Sequence, residues 1–407
     1  MTPHETSSGR LGRRTALGLL GAAGMTAVGA RTASAVGSRT GTDDSFAHSG
    51  PAPRSLRPGG EFDRLLARLA AQDTFSGTVL LARKGRTVLA RSYGQADKQR
   101  SIPNGPDTLF SLGSITKVFT AVAVAQLAQQ GKVAFHEKLG TYLGGFPAET
   151  ADRVTIHQLL THTSGMGDFM AEEGYRTESR KWTTPEQVMD GCLAFVRGAP
   201  LQFAPGTGWR YSNSGYHVLG SIISEVSGQS YYDYIRENIF RRAGMTGADF
   251  FTKRQWREDP RIAHPYTTEH QPQGERVDAM DYYLYTGIPA GNSFACASDL
   301  VRFTKALLGH ELLNSAYTEL TLSAKVPKPP LPPKPGVPAH TPFDSYATGT
   351  DIIGDQWVVG HNGGAPGTFA NLEWFPGSGW IAIVLTNYDR DSDNTVVATA
   401  RKLITAS

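Results

Sequence analysis

The sequence predicts an α+β fold in which an antiparallel β-sheet is flanked by helices and carries an inserted all-helical subdomain. Strand-like runs stand towards both ends of the chain, the segment from about 136 to 290 has mainly helical patterns, and no alternating β-α-β order appears. With 407 residues, 40% of them hydrophobic, the chain is long enough to bury a large core. A net charge of +3 without a Lys/Arg block gives no support for nucleic-acid binding.

The first 35 residues have the pattern of an export signal. Arg13 and Arg14 precede an apolar Gly/Ala/Leu stretch at 15–30, and Ala33-Ser34-Ala35 offers a small-residue cleavage site. The paired arginines favour the twin-arginine route, and the general secretory route is the alternative. Either route predicts a secreted protein, outside the cell or in the cell-wall space. The apolar stretch is too short and too rich in glycine to predict a stable membrane anchor.

The folded domain is expected to run from residue 61 to 407. Residues 36–60, rich in Gly, Ser, Pro and Thr, predict a flexible leader. A helical stripe of apolar residues begins near Glu61, and two strand-like runs, FSGTVLLARKG and RTVLARSYG, then meet at Lys84-Gly85. A helix followed by a β-hairpin is therefore predicted.

A buried central helix and a final set of strands complete the predicted sheet domain. Residues 114–130 are apolar nearly all round, which is typical of a helix inside a core. After the helical subdomain and a helix at about 298–308, the many prolines of 326–342 predict an exposed loop. The runs QWVVGHNG, TFANLEWF and GWIAIVLTN then predict strands, and TVVATARKLI predicts a closing helix.

Cysteine and metal chemistry contribute little to the prediction. Cys192 and Cys296 are the only cysteines, and pairing in an oxidising compartment or two free thiols are both compatible with the sequence. No cluster of His, Asp or Glu has metal-ligand spacing, so we expect neither a metal nor another cofactor.

Ser114-Ile115-Thr116-Lys117 is an S-x-x-K match at the start of the buried helix. Residues i and i+3 of a helix share a face, so the amine of Lys117 can reach the hydroxyl of Ser114. Burial lowers the pKa of a lysine, and a neutral amine can activate a serine hydroxyl. This pattern predicts a serine nucleophile with a lysine partner, although a single match also arises by chance.

Two further segments add polar groups. In Tyr211-Ser212-Asn213 the first and third side chains of an extended segment point the same way, and the alternative is a helix N-cap at Asn213 or Ser214. His361-Asn362-Gly363-Gly364 ends a predicted strand, where small residues permit the close backbone approach that oxyanion binding needs. The amides of Ser114 and Gly364 are the predicted oxyanion donors.

The ordered motifs SITK, YSN and HNG resemble those of the serine β-lactamase and penicillin-binding protein superfamily, within it the class C β-lactamase and DD-carboxypeptidase branch. The surrounding segments LLTHTSG, FAPGTGWRYSN, ASDLVRF and GHNGGAPGT extend the resemblance over most of residues 61–390. It implies a β-lactamase/transpeptidase-like fold. It also implies that Ser114 is the nucleophile, Lys117 its proton partner, and Tyr211 the general base and leaving-group acid.

The same resemblance implies contacts with the substrate. Asn213 would bind a substrate amide, His361 and Gly363 would line the substrate strand, and Gly364 would donate an oxyanion amide. His361 stands where class C β-lactamases carry lysine, so weaker selection of a substrate carboxylate is expected from a mostly neutral ring. His162 in LLTHTSG belongs to a structural turn in this family and is not included in the site.

The predicted function is an exported serine hydrolase acting on a small-molecule or peptide substrate with an ester, amide or lactam carbonyl. A D-alanyl-D-alanine carboxypeptidase or related D-peptidase is the first expectation, because export leads towards the cell wall and histidine occupies the third motif. A carboxylesterase and a class C-like β-lactamase are alternatives. A non-catalytic protein that binds peptide or cell wall is the alternative from another functional class.

Overall fold

The computed structural model describes residues 50–269, 274–329, 341–346, 348–353, 355–390 and 394–406. The predicted export signal and residues 36–49 of the predicted leader lie outside them. The end of that leader is structured, because Arg54–Leu56 forms a 3-10 turn and Leu56 is fully buried. The first α-helix starts at Glu61.

An eight-stranded antiparallel sheet with helices on both faces confirms the predicted α+β class. Its strands run in the order β2-β1-β14-β13-β12-β11-β10-β9. The strands are β1 Gly77–Arg83, β2 Arg86–Tyr93, β3 Gln95–Asp97, β4 Ile102–Pro103, β5 Phe110–Ser111, β6 Tyr266–Thr267, β7 Val277–Asp278, β8 Phe294–Ala295, β9 Val326–Pro327, β10 Phe343–Asp344, β11 Gly349–Ile353, β12 Gln356–Ala365, β13 Thr368–Phe375 and β14 Trp380–Thr386.

The helices concentrate in the middle of the chain, where the all-helical subdomain was predicted. They are α1 Glu61–Ala71, α2 Thr116–Gln129, α3 Ala148–Ala151, α4 Ile156–Leu160, α5 Tyr175–Ser179, α6 Pro185–Gly198, α7 Asn213–Ser227, α8 Tyr231–Ile235, α9 Lys253–Glu258, α10 Ala297–Leu308, α11 Ser315–Leu322 and α12 Thr395–Thr405. A π-helical segment, Arg236–Arg241, follows α8. Two-residue strands between them, such as β6 and β7, were not predicted.

Two cores sandwich the sheet. Helices α1 and α12 cover one face through residues such as Phe62, Leu66 and Ile404, whereas α2, α7 and α10 build the larger core on the other face. Strands β13 and β14 are buried along their whole length because both of their faces are covered. Helix α2 is buried from Thr116 to Ala128, as its apolar sequence predicts.

The β1–β2 hairpin forms as the sequence predicts. Lys84 and Gly85 both have positive φ, 49° and 76°, which is the geometry that a two-residue hairpin turn requires. Strand β1 then pairs with β14, with Gly77 opposite Thr386. The first strand and the last strand along the chain are therefore neighbours within the sheet.

The proline-rich segment differs in part from the predicted loop. Its first residues form β9, a short strand at the edge of the sheet, where proline is tolerated because an edge strand leaves N–H positions unpaired. Residues 330–340 lie outside the described residues. Cys192 and Cys296 are both free and buried, in separate cores.

Within the described part of the chain, no helix combines the length and the apolar character that a bilayer crossing requires. The same residues contain no group of His, Cys, Asp and Glu arranged to hold a metal ion.

Candidate active site

Ser114 lies in a 3-10 turn, Gly113–Ile115, that leads directly into α2. Gly113 has φ +48°, and a Cβ there would lie 2.7 Å from the backbone nitrogen of Gly364. A Cβ on Gly363 would in turn lie 2.7 Å from the backbone nitrogen of Ser114. The nucleophile turn and β12 therefore touch backbone to backbone, and only glycine permits this approach.

Lys117 is fully buried one turn along from Ser114. Its Nζ lies 3.1 Å from Ser114 Oγ, 2.8 Å from Asn213 Oδ1 and 2.5 Å from the carbonyl oxygen of Ala290. Burial lowers the pKa of Lys117 to about 7, and the charge of Asp168 opposes this shift. A substantial fraction of the amine is therefore neutral near pH 7 and able to accept a proton.

Tyr211 lies in the loop before α7, with its ring centroid 4.8 Å from Lys117 Nζ. Burial raises the pKa of Tyr211 above its ordinary value, and a hydrogen bond with the Ser114 side chain only partly offsets this. The phenol is thus protonated at neutral pH. These pKa directions favour Lys117 as the first base, in place of the expected general base Tyr211, and favour Tyr211 as a group that relays a proton.

Asn213 is the first residue of α7, and the N-cap is Ser212, whose Oγ accepts from the backbone N–H of Gly215 at 2.9 Å. The N-cap alternative at Asn213 or Ser214 is therefore wrong. The Asn213 amide nitrogen donates to Asp168 Oδ2 at 2.8 Å, and its oxygen accepts from Lys117. This chain of contacts fixes the amide beside the nucleophile.

His162 lies behind Tyr211 rather than beside Ser114. Its Nδ1 accepts from the backbone N–H of Ser212 at 3.1 Å, and its ring centroid is 4.6 Å from that of Tyr211. Burial, followed by the charge of Lys117, holds the pKa of His162 well below its ordinary value. A neutral histidine with these contacts supports the Tyr211 loop, in agreement with its exclusion from the predicted site.

Strand β12 carries the third motif past the end of β11. Gly349 of β11 pairs with Gly360, so the residues from His361 onwards pair only with β13 and present an open strand edge. The His361 ring is half-buried, its centroid 6.4 Å from that of Tyr211. Burial, Lys117 and Lys328 lower the pKa of His361 below its ordinary range, so the ring is neutral at pH 7.

A cavity of about 600 Å³ adjoins these groups. Tyr211 and His361 line it together with Trp209, Lys328, Asp344 and Asn362. The open edge of β12 borders this space at His361 and Asn362, and the nucleophile turn contacts β12 at the next two residues, Gly363 and Gly364.

Two groups at the site were missed at the sequence level. Asp168 follows the LLTHTSG segment by three residues, and a carboxylate so near a recognised motif was the available signal. The carbonyl of Ala290 contacts Lys117 through a loop, and a backbone oxygen leaves no signature in the sequence. The structure brings the predicted residues Ser114, Lys117, Tyr211 and Asn213 together, with the β12 residues alongside them.

The known proteins that resemble this chain agree with its family match. The profile of the beta-lactamase family matches residues 62–406. A penicillin-binding protein of Bacillus subtilis strain 168 is 30% identical over 81% of this chain and 72% of its own length. Esterase EstB of Burkholderia gladioli is 33% identical over 53% of this chain and 56% of its own. The crystal structure of a penicillin-binding protein from Bacillus halodurans superposes with a TM-score of 0.72 at 27% identity, covering 83% of this chain and 98% of that one.

Proposed function

This chain belongs to the beta-lactamase family and is a serine hydrolase of that fold, and from this premise we propose that it works through an acyl-enzyme on Ser114. The observation that carries the proposal is the contact of Ser114 Oγ with a fully buried lysine amine 3.1 Å away. Burial brings the pKa of that amine to about 7, which suits a general base at neutral pH.

In the proposed mechanism, Ser114 attacks the substrate carbonyl and neutral Lys117 takes the hydroxyl proton. Tyr211 relays a proton to the leaving group, since its raised pKa keeps the phenol protonated. The amides of Ser114 and Gly364 stabilise the oxyanion, and Asn213 orients the substrate amide. Water then attacks the acyl-enzyme and releases the acid, with the same groups moving the proton.

A D-alanyl-D-alanine carboxypeptidase or related D-peptidase is our first proposal for the substrate class. The penicillin-binding relatives support it, as does the export signal pattern, which would direct the protein to the cell-wall space. Histidine at the third motif, where class C β-lactamases carry lysine, supports it over a β-lactamase. A carboxylesterase is the second candidate, favoured by the likeness to esterase EstB.

One panel of substrates tests these alternatives. Purified protein is assayed with a D-Ala-D-Ala peptide, a short-chain nitrophenyl ester and a chromogenic cephalosporin, with Ser114→Ala as the matched control for each. We expect the highest kcat/KM on the D-peptide and no turnover of any substrate by Ser114→Ala. Fastest turnover of the ester or the cephalosporin would reassign the substrate. Failure of the wild-type protein on all three would favour the non-catalytic alternative.

A further inference from the structure

Lys328 is a cation within the substrate cavity, on the chain segment that follows β9. It lines the same cavity as Tyr211 and His361. Its Nζ lies 4.0 Å from the point where a Cβ on Gly349 would stand, and Gly349 is paired with Gly360, the residue before His361. The Lys328 ammonium therefore lies over the strand pair that borders the open edge of β12.

The position of the Lys328 ammonium is fixed by two neighbours. Its Nζ lies 3.3 Å from Asp344 Oδ1 and 5.2 Å from the centroid of the Trp209 ring. Trp209 Nε1 donates to the other carboxylate oxygen of Asp344 at 2.5 Å. Both oxygens of Asp344 thus have partners. A lysine held in this way loses less side-chain entropy on binding a ligand than a freely moving one.

Of the two charged groups, the lysine is the more accessible from the cavity. The Lys328 side chain is 31% exposed and that of Asp344 is 8% exposed. An ammonium has three donors, so one contact to Asp344 leaves others for a ligand. The two other carboxylates that line the cavity, Glu373 and Asp351, lie near Arg401, which hydrogen-bonds Glu373 and is influenced by Asp351. Arg401, rather than Lys328, is therefore the cation that pairs with Glu373.

A buried hydroxyl beside the cavity has no hydrogen-bond partner in the described part of the chain. Thr350 is 4% exposed, and its Oγ has no hydrogen-bond partner among the described residues. It lines the cavity, and its backbone position in β11 is next to Gly349. A buried hydroxyl without a partner is costly.

We propose that Lys328, fixed by Asp344 and Trp209, is a specificity-determining residue that binds a carboxylate of the substrate. The proposal rests on the acyl-enzyme function above and names a substrate feature for it. His361 is neutral, so the third motif supplies no cation, and Lys328 adds a smaller contribution, after burial and Lys117, to the lowered pKa of both His361 and His162. The site thus recognises a carboxylate-bearing ester or amide.

Matched esters test this proposal without assuming a peptide substrate. One pair is nitrophenyl glutarate and its methyl ester, which carry or lack a carboxylate on the acyl side. The other is carboxy-nitrophenyl acetate and nitrophenyl acetate, which differ on the leaving-group side. Release of the nitrophenol gives kcat/KM for each ester, and the ratio of the charged to the neutral ester is the measured quantity.

We expect the wild-type protein to prefer the charged ester of at least one pair. Lys328→Met, which keeps most of the stem, should lower that ratio about 10- to 100-fold, as expected for losing a charged hydrogen bond. Lys328→Arg should keep a preference of the same sign, which separates loss of charge from misfolding. Lys325→Met is the control, because Lys325 bonds to Ser323 and does not line the cavity.

The carboxylate subsite and the acyl-enzyme function can be refuted separately. Equal ratios in wild type and Lys328→Met, or no preference in either pair, would overturn the carboxylate subsite and leave the acyl-enzyme intact. Absence of nitrophenol release above that of Ser114→Ala would overturn the proposed function and the subsite together.

Discussion

At the scale of single residues, reactivity depends on which groups hold a proton at neutral pH. Lys117 and Tyr211 both lie within reach of Ser114, and burial moves their pKa values in opposite directions. It lowers the pKa of the amine because the ammonium is the charged form, and it raises the pKa of the phenol because the phenolate is charged. The result is a neutral base beside a neutral acid.

The pH dependence of acylation follows from Lys117. Its base form is the deprotonated amine, so the acylation rate should rise with pH around a midpoint of about 7. Asp168→Asn removes a charge that raises the pKa of Lys117, and the midpoint should therefore move to lower pH. Stopped-flow measurement of the acylation rate across a pH series gives this midpoint. Glu173→Gln, an exposed acid in the same loop, is the control, and an unchanged midpoint in Asp168→Asn would contradict the assignment.

Tyr211→Phe separates proton relay from packing. Turnover should fall by about 10² to 10⁴, the usual contribution of a positioned acid or base. The melting temperature should change little, because the ring can still pack against His162. Tyr216→Phe is the contrasting variant. Its hydroxyl bonds to the carbonyls of Leu160 and Tyr346, so its loss should cost about 1 kcal/mol of stability and little activity. Equal kcat in Tyr211→Phe and wild type would remove Tyr211 from the mechanism.

At the scale of elements, the site depends on contact between the nucleophile turn and β12. Gly113 has positive φ and also leaves no room for a Cβ beside Gly364. Gly131, after α2, has φ +71° with open space around it. Both glycines therefore adopt a positive φ, but only Gly113 also lies so close to β12 that a Cβ would clash.

Replacing each of these glycines by alanine separates the cost of a positive φ from the cost of a steric clash with β12. Gly131→Ala should cost about 1–2 kcal/mol, the penalty of a left-handed conformation, and keep activity. Gly113→Ala should cost more and also lower kcat, since the turn must move away from β12 and the oxyanion amides separate. Denaturant unfolding and steady-state kinetics measure both effects. Wild-type kcat in Gly113→Ala would show that this approach is not needed for catalysis.

The sequence predicted elements where the pattern is local. The hairpin at Lys84-Gly85 and the buried helix α2 depend on neighbouring residues, and both were predictable from turn chemistry and apolar content. The S-x-x-K spacing likewise placed Lys117 beside Ser114. The partners Asp168, Ala290 and Trp209 come from loops, and such contacts depend on how distant segments pack. No periodic pattern in the sequence indicates these contacts.

At the scale of the whole molecule, long-range pairing assembles the site. Strand β1 joins β14 in the sheet, and α2 packs between that sheet and the helical lobe that carries Tyr211. The motifs at Ser114, Tyr211 and His361 meet only when this packing is complete. The order of the motifs along the chain therefore indicated the family, while their convergence is a property of the folded domain.

The two cysteines give a prediction at this scale. Cys192 and Cys296 are buried in different cores and are free, which answers the question that the sequence left open. Unfolding in denaturant without reductant should expose two reactive thiols per chain, and reductant should leave the melting temperature of the folded protein unchanged. Thiol titration and calorimetry check this. Fewer than two thiols after aerobic purification would indicate a bridge and contradict the described separation.

Mass spectrometry of the intact protein shows whether Ser114 carries the acyl group. After brief incubation with a penicillin or an activated ester and an acid quench, the mass of the wild-type protein should increase by one acyl group per chain. Peptide mapping should place that group on Ser114, and Ser114→Ala should show no increase. An adduct on another residue, or one retained by Ser114→Ala, would show that Ser114 is not the nucleophile.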